Sequence, residues 1–285
     1  MKYSIVIPAY NEAAAILNQL NLIKKYLLVY KINAEIILVN DGSSDNTKKE
    51  IEKFEFKNII VINNISNLGY GKSIKIGVQN SSNDNIVIID CDMSYPFQSI
   101  NQLIAEYESG YDLVIAERKN LSKLDGYLKH ILRNTFKIIV NYISGNNVPD
   151  PNSGFRIFNK NIFLKHINII SDGFSMSTSS LLTFIFERCH IKFIPIELNN
   201  RVGNSKIKLS RDTLRMLQTV IQVCLYFNPL KIFVSMFLFF LFLLFITFGL
   251  ELILNQNLIY LKVFFGFFGF QFLSLGFISE ILRKK

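Results

Sequence analysis

Asp90 and Asp92 stand one residue apart at the end of an apolar run, in the stretch Ile86–Pro96, IVIIDCDMSYP. Two carboxylates this close repel each other unless something positive sits between them. Hard oxygen ligands at the carboxyl end of a strand suit Mg²⁺ or Mn²⁺, and such an ion can in turn hold a diphosphate. The plain alternative is a polar turn after a buried strand, and an Asp-x-Asp pair alone does not decide between the two. Two further apolar runs end in polar residues. SIVI leads into Pro8-Ala9-Tyr10-Asn11-Glu12, and EIILVN leads into Asp41-Gly42-Ser43.

The elements that must position these residues follow from the hydrophobic pattern. Short runs of isoleucine and valine predict buried strands over 3–8, 35–40, 59–62 and 86–89. Helical spacing of Ile16, Leu20, Ile23 and Leu27 predicts a helix over 12–30, with Asn11 as its cap. A second helix is predicted over 46–54, capped by Ser44 or Asp45, and a third after Gly71. Strands alternating with helices give a mostly parallel sheet covered on both faces, an α/β architecture. Ligands of such sheets sit outside the carboxyl ends of the strands, where the three polar segments would meet. Later short strands are predicted over 112–115, 156–158 and 190–198. Gly69-Tyr70-Gly71-Lys72-Ser73 superficially suggests a phosphate loop. Ser66 stands where a P-loop needs glycine, and Ile74 where a dinucleotide fingerprint needs one. A turn that lets the backbone approach a neighbour closely accounts for the glycines better.

Two groups of basic residues follow. Arg118 and Arg133 lie in or near a stretch that also carries Lys119, Lys123, Lys129 and Lys137. Guanidinium makes fixed, bidentate contacts to phosphate, so these two arginines could cradle one; a solvated helical face is the bland alternative. Arg201 and Lys206 share one glycine-containing loop. Such a loop can close over a diphosphate and neutralise charge on a leaving group. It can equally be a basic segment attracted to anionic lipid.

The net charge of +9 fits nucleic acid, a membrane surface or an anionic substrate. Fourteen of the 26 phenylalanines lie after residue 231, which marks that end as membrane segment and not core. Residues 232–250 carry no charge, and 258–282 are interrupted only by Lys262, Gln271 and Glu280. Each is long enough to span a bilayer. Residues 212–227 read as an amphipathic helix, either on the membrane surface or packed on the preceding domain. Lys206, Lys208, Arg211, Arg215 and Lys231 precede the first span, and Arg283, Lys284 and Lys285 follow the second. The positive-inside rule then makes the pair a hairpin with both ends cytoplasmic. Lys2 leads directly into YSIVIP without a signal peptide, and the three cysteines have no metal or redox spacing. Both fit a folded part in the reducing cytosol.

VIPAYNE at 6–12, NDGSSDNT at 40–47, NLGYGKS at 67–73 and DCDMSYP at 90–96 resemble the ordered motifs of family 2 glycosyltransferases. DPNSGFRIF at 150–158, GFSMSTSSLLT at 173–183 and NNRVGNSKIK at 199–208 narrow the resemblance to the branch of dolichol-phosphate mannosyltransferases and bacterial polyprenyl-phosphate glycosyltransferases. The resemblance implies a GT-A (Rossmann-like) fold followed by a two-helix transmembrane hairpin. The implied division is a catalytic domain over 1–208, a juxtamembrane helix over 209–229, and spans over 230–254 and 258–282. It further implies a metal-dependent, inverting transfer of a hexose from a UDP- or GDP-sugar to a dolichyl or undecaprenyl phosphate. Pro8, Tyr10, Glu12, Asp41, Asp90 and Asp92 would bind the nucleotide sugar, with Glu12 and Asp41 toward base and ribose. Asp90 and Asp92 would hold Mg²⁺ or Mn²⁺. Arg118 and Arg133 would meet the acceptor phosphate, and Arg201 and Lys206 the donor diphosphate. Asp150 would lie near the sugar and the acceptor phosphate; its plainer role is to orient Arg156 or cap its loop. A phosphate acceptor is already ionised at neutral pH, so Asp150 reads as a positioning residue before a base. Ser177-Thr178-Ser179-Ser180 carries no acid where some branches have glutamate, which leaves the sugar open.

The implied partners are therefore the nucleotide sugar, the lipid phosphate and the membrane, with no nucleic acid; a homo-oligomer is left open. A processive polysaccharide synthase would carry a tryptophan motif, and this chain has no tryptophan. A different acceptor, or a non-catalytic scaffold that binds nucleotide sugar, are the remaining alternatives.

Overall fold

The computed structural model describes residues 1–121, 127–202, 209–254 and 256–283, which form two compact units, Met1–Thr219 and Val220–Lys285. Among the described residues of the first unit, seven strands form one sheet. They are β1 (Tyr3–Ala9), β2 (Ala34–Asn40), β3 (Ile59–Asn63), β4 (Asn85–Ile88), β5 (Leu113–Arg118), β6 (Arg156–Asn159) and β7 (Ile191–Ile196). The order across the sheet is β3-β2-β1-β4-β6-β5-β7. β3, β2, β1 and β4 run parallel, as do β5 and β7, and β6 alone is antiparallel to both its neighbours. All seven residues of β1 are buried, as its unbroken apolar run requires for a central strand covered on both faces. β7 is an edge strand, which accommodates the missing N–H of Pro195.

The chain winds outward from β1 to β3, then crosses back to β4 on the other side of β1. That reversal makes the carboxyl ends of β1 and β4 the switch point of the sheet, where open α/β folds bind ligands. Register places the polar segments at one level. Pro8 is paired with Val39 and Val6 with Ile88, so Tyr10 and Asp41 follow one pair of strands, and Asp90 rises beside the end of β1.

Helices cover the sheet where the periodicity predicts them, with one correction at the start. The first helix is Ile16–Val29 and has no side-chain cap. Asn11 instead adopts φ 51° and its Oδ1 accepts from the Ser44 N–H at 2.8 Å. The amide of Glu12 donates to Thr47 Oγ1 and that of Ala13 to Asp45 Oδ2. The loop after β2 thus claims the Asn11 oxygen that would cap a helix starting at residue 12, and the left-handed Asn11 turns the chain, so the helix begins a turn later. Asp45 does serve the next helix, Thr47–Glu52: its Oδ1 accepts from the Thr47 N–H at 2.9 Å.

The glycine loop ahead of helix Tyr70–Gln79 is a packing device. A Cβ on Gly71 would lie 2.2 Å from the Ser171 carbonyl oxygen, and one on Gly69 would lie 2.8 Å from that of Asp172. The Lys72 N–H donates to the Asp172 carbonyl at 2.9 Å, and Lys75 Nζ pairs with the Asp172 carboxylate at 2.7 Å.

In the second unit, helices Pro229–Leu254 and Ile259–Arg283 pack on each other, and each is long and apolar enough to cross a membrane. Gly269 and Gly276 let Phe240 and Phe233 close in, and Phe240 stacks on Phe268 and Phe272. Lys262 forms an ion pair with Glu251 beside the turn. The preceding helix, Leu209–Phe227, exposes Leu214 and buries Val220, Val223 and Cys224.

Gly71→Ala tests the glycine packing. Helix propensity alone would stabilise the variant by up to about 1 kcal/mol. Forcing two backbone segments apart costs about 1–3 kcal/mol, so thermal unfolding in detergent should show a net loss. An unchanged or higher midpoint would mean that the two loops yield freely.

Candidate active site

Asp90 and Asp92 follow β4 directly, so the buried strand carries both carboxylates into the crevice. Asp92 is 6% exposed. Its Oδ1 accepts from the Ser94 N–H at 3.0 Å and the Ser94 hydroxyl at 2.6 Å, and its Oδ2 faces Arg201 Nε at 3.0 Å. The tight turn uses a left-handed Met93. The loop bearing Arg201 is tied down by two backbone bonds, Asn199 N–H to the Ser94 carbonyl and Val202 N–H to the Asp92 carbonyl.

Asp90 Oδ1 accepts from the Tyr70 hydroxyl at 2.8 Å. Its Oδ2 would lie 2.6 Å from a Cβ on Gly154, so glycine is the residue that fits beneath it. Burial, and then the negative charge of Asp92, push the Asp90 carboxyl up to about 6. Burial, and then Asp90, likewise hold the Tyr70 hydroxyl well above its ordinary value, so it remains a donor.

Asp150 lies in the loop before β6 and is 4% exposed. Arg118, the last residue of β5, forks onto it: Nε to Oδ2 at 2.7 Å and Nη2 to Oδ1 at 2.8 Å. The Asp150 side chain thus engages Arg118, and its expected orienting contact with Arg156 is not formed. Burial alone would raise the Asp150 carboxyl, but Arg118 overrides it and holds the carboxyl below the usual range. A carboxylate so poised is a weak base, in keeping with a positioning role. Arg156 is 1% exposed and is bound by neutral groups: Nη1 donates to the Ser177 carbonyl at 2.8 Å and Ser180 Oγ at 3.0 Å, and Nη2 to the Ser153 carbonyl. Burial pushes its guanidinium down to about 10.

The other expected residues fall as follows. Asp41 is buried at the end of β2, and its carboxylate accepts from Asn64 Nδ2 and the N–H groups of Leu68 and Gly69, all at 2.8–2.9 Å. It therefore holds the 64–69 loop and keeps roughly one of about four acceptor positions for anything else. Pro8 is buried within β1, while Tyr10 and Glu12 are part-buried just beyond it. Arg133 is part-buried on helix Tyr127–Ser144, between β5 and β6. Lys206 lies outside the described residues. Sequence reasoning missed Tyr70, Tyr95 and Arg156 as parts of the site. Tyr95 is buried, contacts the Ser153 hydroxyl at 3.3 Å and accepts from the Gly154 N–H at 2.8 Å, which fixes the floor under Asp90.

The donor set fits Mg²⁺ or Mn²⁺. Two hard carboxylates stand together, and among the described residues no third acid, histidine or cysteine completes a cluster. An ion held by one or two carboxylates takes its other ligands from phosphate oxygens and water, the usual pattern for Mg²⁺.

The model of the family "Glycosyl transferase family 2" matches residues 4–168, and the chain belongs to this family. The enzyme class it defines is a glycosyltransferase. An undecaprenyl-phosphate 4-deoxy-4-formamido-L-arabinose transferase from Proteus mirabilis is 27% identical over 99% of this chain and 89% of its own. A prophage bactoprenol glucosyl transferase homolog from Escherichia coli is 29% identical over 57% of this chain, which spans 53% of that relative's length. Among solved structures, glucosyl-3-phosphoglycerate synthase from Mycobacterium tuberculosis, in complex with Mn²⁺, UDP and glucosyl-3-phosphoglycerate, superposes with a TM-score of 0.61. It covers 78% of this chain and 80% of its own at 18% identity, a likeness of fold.

The Arg118–Asp150 fork carries a pH signature. Because the folded carboxyl is lowered, its stabilisation is complete above the unfolded value of about 3.9 and is lost as pH falls through the folded value. Asp150→Asn should cost roughly 3 kcal/mol near neutral pH, the lower end for a broken buried pair, since it leaves the part-buried Arg118 without its anion. The gap from wild type should narrow as pH drops below about 4. Thermal unfolding across that range reads this, and a gap of constant size would show that the pair does not titrate as argued.

Proposed function

We propose that this protein is a metal-dependent, inverting glycosyltransferase that moves a hexose from a nucleotide-diphosphate sugar to the phosphate of a membrane polyprenol. The observation that carries this reading is the pairing of Asp92 with Arg201 beside Asp90, at the switch point of a family 2 fold. Carboxylates for a cation and a guanidinium for phosphate there occupy one small space. The names of the relatives, an undecaprenyl-phosphate transferase and a bactoprenol glucosyl transferase, support the lipid acceptor, as do the two apolar helices.

In this reading Asp90 and Asp92 hold Mg²⁺ or Mn²⁺, which when bound acts as Lewis acid and orienter for the diphosphate. Tyr70 and Gly154 fix the Asp90 carboxylate. Pro8, Tyr10, Glu12 and Asp41 shape the nucleotide side of the crevice. Arg201 and Lys206 face the leaving diphosphate, and Arg118 and Arg133 face the acceptor phosphate, with Asp150 fixing the Arg118 fork. An oxygen of the lipid phosphate attacks the anomeric carbon as the bond to the diphosphate oxygen breaks. The nucleoside diphosphate leaves with the electron pair, and in-line attack inverts the centre. The acceptor is already ionised, so no side chain has to remove a proton. The basic residues flanking the two apolar helices support a cytoplasmic catalytic unit, with both ends of the helix pair on that side.

Two measurements test the assignment. Membranes incubated with labelled UDP- and GDP-sugars should yield a glycolipid labile to mild acid. Asp92→Ala should lose that product while the chain still folds and inserts, and an unchanged rate would remove the metal role. Arg133→Ala should raise the apparent KM for polyprenyl phosphate by several tens-fold, as loss of a contact worth about 2–5 kcal/mol requires, with nucleotide-sugar affinity nearly unchanged. Arg133→Lys should recover only part of this, because ammonium lacks the planar fork. The reverse pattern, weak donor binding with normal acceptor binding, would reassign Arg133 to the donor.

A further inference from the structure

Around Asp90 three carboxylates and three guanidiniums act on one another, and they are not paired evenly. Arg118 is forked onto Asp150, and Arg201 is on Asp92. Asp90 and Arg156 remain. Asp90 has the Tyr70 hydroxyl, and Arg156 has two backbone carbonyls and a serine hydroxyl. Among the described residues no carboxylate lies within ion-pair distance of Arg156, and its buried Nε has no hydrogen-bond partner.

A structural role explains this arginine poorly. A buried charge without a counter-ion is strongly unfavourable, and well-packed apolar residues often serve stability as well or better. A partly satisfied polar group adds to the penalty. The location of the charge is more informative. Arg156 opens β6 opposite Ile88 of β4 and Ile115 of β5, two residues before Asp90 and three before Arg118. The groups that act on it electrostatically are Tyr70, Tyr95, Asp150 and Asp90, all of the site. In a low-dielectric interior that interaction is weakly screened, and it is reciprocal.

We propose that Arg156 is a positioning residue for the donor: a fixed positive charge under the metal carboxylates that shifts the site's preference from a bare divalent cation toward a cation carrying a nucleoside diphosphate. This rests on the functional reading above. Without Arg156 the cluster around Asp90 holds one more carboxylate than guanidinium, an arrangement that attracts a bare cation and repels diphosphate. With it the charges balance, and the negative charge of the diphosphate is accepted. The absence of any acid from Ser177-Thr178-Ser179-Ser180, a segment that binds Arg156, leaves its charge free of a direct ion-pair partner and acting on the site as a whole.

The consequence is a pair of opposite effects that loss of packing would not produce. The full chain in detergent is titrated with Mn²⁺ alone, followed by the electron paramagnetic resonance of free Mn²⁺, and with UDP and GDP at saturating Mn²⁺ by calorimetry. Arg156→Met should bind bare Mn²⁺ several-fold more tightly and the nucleotide about tenfold more weakly. Arg156→Lys, which keeps the charge, should stay near wild type in both. Ser180→Asp places a carboxylate beside Nη1 and should shift both affinities in the direction of Arg156→Met; it carries the test if Arg156→Met does not fold. Both affinities weakening together in all three variants would overturn the proposal in favour of a structural role. Unchanged affinities in Arg156→Met and Ser180→Asp, with normal nucleotide binding by wild type, would also overturn it while leaving the functional reading intact. Failure of wild type to bind either nucleotide with Mn²⁺ would instead sink the functional reading, and this proposal with it.

Discussion

Keeping two buried carboxylates and a part-buried third in one crevice is the constraint on which the rest of the first unit depends. Asp92 and Asp150 are buried and Asp90 is part-buried; they reach the site from the loop after β4 and from the loop before β6, and like charges brought together away from water need partners. Burial, and then Asp92, push the Asp90 carboxyl up accordingly. What makes the cluster tolerable is brought from elsewhere in the chain: Arg118 from the end of β5, Arg201 from the loop after β7, and the Tyr70 hydroxyl from the start of a helix. The sheet order has to bring β4, β6 and β5 side by side for these contacts to exist.

The backbone details serve the same end. Tyr70 reaches Asp90 because its helix starts hard against the 171–173 loop, and Gly69 and Gly71 permit that approach. Phe174, from the far side of that loop, stacks on the Tyr70 ring with centroids 5.9 Å apart. Asp41 holds the other end of the same glycine loop through the N–H groups of Leu68 and Gly69. A carboxylate at the end of β2 therefore sets the placement of a hydroxyl at the end of β4, through a loop whose glycines have no chemistry of their own.

Much of this was legible in the sequence, for physical reasons. Buried strands of isoleucine and valine are short and unbroken, so β1, β2 and β4 and the acidic residues after them stood out. β6 reads as strand-like, but nothing in four residues says that it runs antiparallel, and that direction brings Arg156 under the site. The partner of Asp150 was hidden for a related reason. Arg156 is six residues away in sequence and Arg118 is thirty-two, yet the fork forms with Arg118, because β5 and β6 are neighbours. Tyr70 was missed because it stands between two glycines, and a glycine pattern draws attention to the turn and away from the side chain it presents. Asn11 has the type expected of a helix cap, but its oxygen went to the loop after β2. Local propensity cannot foresee a stronger tertiary claim on the same atom.

In the function proposed above, the charge balance of the site and the apolar hairpin would address two halves of one difficulty. A polyprenyl chain is held in the bilayer by about 0.8 kcal/mol for each buried CH₂, so a lipid acceptor does not come to a soluble enzyme; the enzyme must stay at the membrane. Helices of 26 and 25 residues are about 39 and 37 Å long, against a hydrocarbon core of about 30 Å, which is enough for two tilted spans. The ionisable residues near the turn, Glu251 and Lys262, pair with each other, which lowers the cost of their proximity to lipid. The phosphate of such an acceptor would nevertheless remain in the polar interface, and a donor diphosphate would arrive from water. Both would be anions, to be brought out of high dielectric against each other's repulsion. Fixed guanidiniums paired to buried carboxylates meet that repulsion directly. They hold positive charge in place before either reactant arrives, and they need little reorganisation when the phosphates enter.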